Sequence, residues 1–196
     1  MNTIALFGTS ADPPTAGHKA ILKWLCDRYD GIAAWASDNP FKSHQTPLEH
    51  RKRMLRVLIS EIDTPQNNIA LHEELSSGRT LETVKKAKEI WGEEVEYTLI
   101  IGSDLVSQLP KWYEVEKLLA QVQLLVVPRP GYEINDEDIQ RLRQLGARVE
   151  VADLQVPAVS STEYREKGDS EVLTPPVEDY IHQEQLYECQ NAAPSR

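Results

Sequence analysis

The chain has 196 residues, enough for one domain with a sizeable core. Hydrophobic residues make up 40% and charged residues 27%, as in an ordinary soluble protein, and no apolar run approaches the roughly 20 residues of a membrane-spanning helix. A formal charge of −10 argues against broad nucleic-acid binding and means that any anion site must gather its positive charge locally. The start, Met1-Asn2-Thr3-Ile4, lacks the basic and apolar regions of a secretory signal, so a cytoplasmic protein is expected. Cys26 and Cys189 have no partner at zinc-ligand spacing and are expected to be reduced, unpaired thiols.

Apolar, β-rich runs alternate with helical patterns along the chain. A strand is predicted over Thr3–Gly8, then a helix over Gly17–Arg28 with apolar Ile21, Leu22, Trp24 and Leu25. A second strand is predicted over Gly31–Ser37. The helix over Pro47–Ile62 follows, with proline near its first turn and apolar Met54, Leu55, Leu58 and Ile59. Next come a strand over Asn68–Glu74, a helix over Leu81–Trp91 and a strand over Tyr97–Gly102. Strand Gln123–Pro128, helix Asp136–Leu145 with Gly146 as its stop, and strand Ala147–Val151 complete the series. The first, fourth and fifth strands are nearly continuous apolar runs, which suits a parallel sheet covered on both faces. The order predicts one α/β domain over 1–189, a Rossmann-like doubly wound parallel sheet, with 190–196 as a frayed tail. Ligands of such a fold bind beyond the carboxyl ends of the strands, near the switch in strand order.

The loop after the first strand reads Gly8-Thr9-Ser10-Ala11-Asp12-Pro13-Pro14-Thr15-Ala16-Gly17-His18. Gly8 permits close backbone approach, Thr9 and Ser10 offer hydroxyls, and Pro13 and Pro14 stiffen the excursion. Gly17 and His18 open the next helix, where free N–H groups favour an anion, and His18 adds a donor and, when protonated, a charge. Taken alone, this is equally a strand-to-helix connection rich in turn formers.

The whole string is more specific. It resembles the signature of the nucleotidylyltransferase superfamily, a glycine-led loop ending in His/Thr-x-Gly-His, with Thr15-Ala16-Gly17-His18 at that motif. The resemblance implies that His18 contacts the nucleotide phosphates and stabilises the pentacovalent α-phosphate. Later segments resemble one branch, the bacterial nicotinate-nucleotide adenylyltransferases. Gly102-Ser103-Asp104 with Trp112 is similar to a Gly-Ala-Asp turn and its downstream tryptophan, implying nucleotide binding by Asp104 and stacking of Trp112 on the pyridine ring. From the residues alone, Asp104 is also a candidate helix cap and Trp112 a packing anchor. Arg129-Pro130-Gly131 resembles an Arg-Pro-Gly turn, although an exposed arginine would look the same. Val159-Ser160-Ser161-Thr162-Glu163-Tyr164-Arg165 resembles Ile-Ser-Ser-Thr-x-Ile-Arg. Its hydroxyls and arginine suit polyphosphate, while Ser160 and Glu163 alone would make a capping box.

Asn39-Pro40-Phe41-Lys42 stands where the family has a Pro-His-Lys-like turn, making Lys42 a candidate phosphate ligand. Ser77-Gly78-Arg79-Thr80 stands at the family's base-recognition turn, so Arg79 and Thr80 join Trp112 and Arg129 on the pyridine side. The pattern from Leu173 through Tyr180-Ile181 to Leu186-Tyr187 matches the family's closing helix and is expected to pack structurally. Four positions depart from the family pattern: Ala11 for phenylalanine, Thr15 and Phe41 for histidine, and Arg79 for tyrosine.

The resemblance implies transfer of AMP from ATP to nicotinate mononucleotide, with His18, Lys42 and Arg165 stabilising the reacting phosphates. Mg²⁺ would travel on the ATP phosphates, so no protein metal ligand is expected. Phosphopantetheine adenylyltransferases share the Thr-x-Gly-His loop, and an enzyme preferring nicotinamide mononucleotide or a non-catalytic nucleotide-binding regulator also fits it. A homo-oligomer is compatible with each.

Overall fold

The computed structural model describes residues 1–39 and 45–187. Phe41, Lys42, Cys189 and the expected tail 190–196 lie outside the described residues.

The chain forms β1 (Thr3–Thr9), α1 (Ala16–Cys26), β2 (Gly31–Ala36), α2 (Leu48–Ser60), β3 (Ile69–Leu71), α3 (Thr80–Trp91) and β4 (Glu96–Gly102). It continues through α4 (Val115–Leu119), β5 (Gln123–Val127), α5 (Asp136–Gln144), β6 (Arg148–Val151), α6 (Ser161–Lys167) and α7 (Pro175–Gln183). Every strand pairing is parallel, and the sheet order is β3-β2-β1-β4-β5-β6. This is the predicted single, doubly wound α/β domain. No helix among the described residues is long and apolar enough to cross a membrane.

The apolar continuity of β1 has a direct cause. Ala5 and Phe7 face α1, α2 and α7, packing with Leu22, Leu25, Leu55 and Val177. Ile4 and Leu6 face α3, α4 and α5, packing with Leu81, Val84, Leu118 and Leu142. With both faces covered, both sides of the pleat are apolar. Full burial of a large aliphatic side chain such as Leu22 or Leu25 is worth about 1.5–3 kcal/mol, so these two layers supply most of the drive for docking the helices.

Predicted and observed elements differ most at the sheet edge. The strand expected over Asn68–Glu74 is only Ile69–Leu71, followed by a 3₁₀ turn at Glu73–Leu75. β3 has one neighbour, β2, and the turn carries Leu75 into the core layer beneath α3. Burying Leu75 outweighs extending an edge ladder. Helix α4 and the 3₁₀ turns Ser103–Leu105 and Leu109–Lys111 went unread in the sequence. Gly146 terminates α5 with φ 102°, as anticipated.

The topology itself creates a crevice. From β1 the chain moves outward to β2 and β3, then crosses back to β4 on the other side of β1. The loops after β1 and β4 therefore leave toward opposite faces, and a cleft opens between them at the carboxyl edge. Gly8, opposite Trp35 in the β1–β2 register, lies at this edge. A β-carbon on Gly8 would stand 2.5 Å from the buried Trp35 ring. Gly8→Ala is expected to cost about 1–3 kcal/mol through overpacking, seen as a fall of several degrees in thermal midpoint. An unchanged midpoint would show that Trp35 can move aside freely.

Candidate nucleotide site

Between Thr9 and Thr15 the loop that joins β1 to α1 crosses the mouth of this crevice without strand or helix partners, so its polar groups are met individually. Ala11, buried and left-handed at φ 51°, donates its N–H to Thr9 Oγ1 at 3.2 Å. Arg51, only 2% exposed, donates from Nη1 to the Ser10 carbonyl at 3.1 Å and the Ser37 carbonyl at 2.6 Å, and from Nε to the Thr46 carbonyl at 2.8 Å. Arg165 Nη1 donates to the Asp12 carbonyl at 2.6 Å, and Ser161 Oγ to the Pro13 carbonyl at 2.7 Å. The buried Asp12 carboxylate accepts from Tyr187 Oη and, at 3.2 Å, from Thr46 N.

Thr15 is the N-cap of α1, with Oγ1 accepting from Gly17 N at 3.2 Å and His18 N at 3.4 Å. The cap is reciprocal, because Thr15 N donates to His18 Nδ1 at 2.8 Å. This is a complete capping box with an imidazole in the place usually held by glutamate or glutamine. It also fixes the protonation of His18. An Nδ1 that accepts a backbone N–H carries no proton, so the ring is neutral and Nε2–H is its donor. That donor meets Thr9 Oγ1 at 3.0 Å. Burial, reinforced by the positive charge of Arg129, lowers the His18 pKa from 6.5 to about 4. Of the two roles open to His18 from the sequence, donor and, when protonated, charge, the structure keeps the donor.

Across the crevice, Arg129 Nη1 pairs with Asp104 Oδ2 at 2.9 Å, while Arg129 N donates to Ser103 Oγ at 2.8 Å. Asp104 sits inside the 3₁₀ turn and is not its cap; Gly102 occupies that position. A β-carbon on Gly102 would strike the Asp104 carboxylate and come within 3.0 Å of Arg129 Cδ, so glycine lets the ion pair lie against the strand end. Ser160 caps α6 by accepting from Glu163 N at 3.1 Å, and Thr162 Oγ1 accepts from Arg165 Nη2 at 3.2 Å.

Gly8, Thr9, Ser10, Thr15, Gly17 and His18 thus share one loop and helix start. Ser161 and Arg165 are bonded to that loop, and Ser160 and Thr162 belong to the same short helix. Gly102, Asp104 and Arg129 form the opposite wall, close enough for Arg129 to act on His18. Arg79 and Thr80 stand apart at the start of α3. The Arg79 guanidinium lies 4.0 Å over the half-exposed Tyr113 ring and 4.0 Å from Glu82 Oε1. Trp112, next to Tyr113, is partly buried against the core layer on that face. Asp12, Arg51 and Tyr113 were not singled out from the sequence, and Tyr187 was assigned only to structural packing. Arg51 left one signal: it lies four and seven residues before Leu55 and Leu58, on the inward stripe of α2.

A hydroxyl-rich loop and helix start at the switch point, faced by two arginines, define a nucleotide-binding α/β domain. Residues 6–167 match the cytidylyltransferase-like family. A Synechocystis sp. protein named "Probable nicotinate-nucleotide adenylyltransferase" is 42% identical over 94% of this chain and 98% of its own length. The nicotinate-nucleotide adenylyltransferase of Bacillus subtilis is 27% identical over 96% of this chain and all of its own length. The fold is similar to that of Plasmodium falciparum nicotinic acid mononucleotide adenylyltransferase complexed with NaAD, with TM-score 0.81 and 21% identity over 96% of this chain and 98% of that one. The chain belongs to the nicotinate-nucleotide adenylyltransferases, nucleotidyltransferases of the cytidylyltransferase-like family.

The depressed His18 pKa has a measurable consequence. Between about 6.5 and about 4 the unfolded chain binds a proton that the folded chain refuses, so His18 lowers stability as pH falls through that window. His18→Gln is expected to remove this component from a plot of thermal midpoint against pH. Parallel wild-type and variant curves would mean that the ring is not held neutral.

Proposed function

We propose that this chain joins ATP and nicotinate mononucleotide into nicotinate adenine dinucleotide with release of pyrophosphate, by in-line displacement. A 5′-phosphate oxygen of the mononucleotide bonds to the α-phosphorus as the bond to the pyrophosphate oxygen breaks. The attacking phosphate is already anionic at neutral pH, so no general base or covalent enzyme intermediate is required. Catalysis then consists of positioning and charge stabilisation.

The observation that carries this reading is the fixed tautomer of His18. Its Nε2–H is a pre-aimed donor at the crevice, and its bond to Thr9 is the one a phosphate oxygen takes over. Arg165 supplies positive charge from α6, and Lys42 is retained as a candidate from the resemblance. The two carboxylates of the site support Mg²⁺ travelling with ATP rather than in a protein cage. Asp12 is engaged by Tyr187 and Thr46, and Asp104 by Arg129. Mg²⁺ would then be held by phosphate oxygens and water, neutralising charge on the leaving group. The cytoplasmic placement expected from the sequence goes with this reading.

Pyrophosphate release with ATP, Mg²⁺ and nicotinate mononucleotide tests the proposal. Phosphopantetheine in place of the mononucleotide tests the alternative acceptor, and turnover with neither would favour a non-catalytic nucleotide binder. His18→Ala is expected to retain the fold and lose about 10²–10³ in turnover. Near-normal turnover in the folded variant would remove His18 from the reaction.

Arg79 bears on the choice of acceptor. Its guanidinium lies beside the Trp112–Tyr113 segment, and an acidic pyridine substituent placed there would meet positive charge. The acid mononucleotide is expected to be preferred over the amide, and Arg79→Ala to narrow that preference. Equal kcat/KM for the two substrates, unchanged in Arg79→Ala, would overturn the assignment.

A further inference from the structure

Tyr187 belongs to the carboxyl-terminal segment that the sequence assigns to structural packing, yet its hydroxyl enters the phosphate loop. It donates to Asp12, 175 residues earlier in the chain. The ring is held by an edge-to-face contact with Tyr164 of α6, at 5.8 Å between centroids and 87° between planes. Burial, with the Asp12 charge and hydrogen bond next in importance, pushes the Tyr187 pKa far above its ordinary value, so the phenol remains a donor. Asp12 is the junction. One carboxylate oxygen takes Tyr187, the other takes the Thr46 amide, and its carbonyl takes Arg165 at 2.6 Å.

We propose that Tyr187 is a positioning residue for adenylyl transfer: acting through the Asp12 carboxylate, it sets the Asp12 carbonyl on which Arg165 is held. The proposal rests on the assignment of the Gly8–His18 loop and Arg165 to ATP. The physical basis is the cost of leaving a buried carboxylate short of a donor. Asp12 is 5% exposed and keeps its orientation only while both oxygens are satisfied. Without the phenol, the carboxylate turns toward another donor, its backbone shifts, and Arg165 loses its anchor point. Displacements of this kind are expensive in a reaction that depends on alignment.

Tyr187→Phe deletes the hydroxyl and keeps the ring on Tyr164. It is expected to lower kcat/KM for ATP about tenfold, with a change in thermal midpoint of only a few degrees. A residue that merely closes the fold would lose midpoint without losing catalysis. Asp12→Asn should also impair turnover, and Tyr187→Phe added to Asp12→Asn should cost nothing more, because the two act in one chain. A folded Tyr187→Phe within about twofold of wild type, or independent additive losses in the pair, would overturn the proposal. If Asp12→Asn does not fold, the same cycle is run between Tyr187→Phe and Arg165→Lys, with additivity again overturning it. Arg165→Ala separates the underlying assignment. Undiminished ATP turnover there would mean that Arg165 is not an ATP ligand. An impaired Arg165→Ala beside a normal Tyr187→Phe would overturn the role of Tyr187 alone.

Discussion

The structure depends on satisfying the carbonyls of a loop that has no ladder to join. Between Thr9 and Thr15 the chain belongs to neither sheet nor helix, yet most of it is buried. Buried backbone carbonyls require donors. Here they come from side chains far away in sequence: Arg51 for Ser10, Arg165 for Asp12 and Ser161 for Pro13. Arg51 also ties down Ser37 at the end of β2 and Thr46 before α2. One requirement thereby draws the ends of two strands, α2 and α6 into a single network. The crevice left by the strand order stays open because its border is hydrogen-bonded to the elements around it.

The same requirement sets the chemistry of His18. The Thr15 amide at the start of α1 is one of the donors a helix leaves unmet, and Nδ1 of His18 meets it. Structural and catalytic interpretations of this histidine therefore do not compete. Capping selects the tautomer, the tautomer leaves Nε2–H as donor, and burial, reinforced by Arg129 nearby, disfavours a second proton. Among these groups, positive charge falls to the arginines and directional donation to the imidazole. In a chain of net charge −10, this division lets an anion site form without a cluster of mutually repelling cations.

How much could be read from sequence follows from the range of each signal. β1, β4 and β5 were legible because burial on both faces writes an uninterrupted apolar run. β3 was overextended because an edge strand has one partner and Leu75 was worth more in the core. The Gly8–His18 loop was legible as a string, since its Gly, Thr, Pro and His occupy local positions with local duties. The capping box was sought at Ser160 and Glu163 by the usual residue types. The reciprocal bond occurs at Thr15 and His18, because an imidazole nitrogen can accept as a carboxylate does. Arg51 was legible only as a charge on an apolar stripe. The pairing of Tyr187 with Asp12 joins the two ends of the chain, and no periodicity or spacing encodes it.

Thr15 shows how a departure from the family pattern can be absorbed. The family pattern that this sequence resembles has histidine there. Threonine offers something different. Its hydroxyl accepts from both Gly17 and His18, the capping role for which a threonine side chain is suited. Ala11 is likewise buried, and its backbone amide donates to the Thr9 hydroxyl, the other partner of His18. The two departures beside His18 thus leave intact the backbone hydrogen bonds that hold its ring and its partner in place.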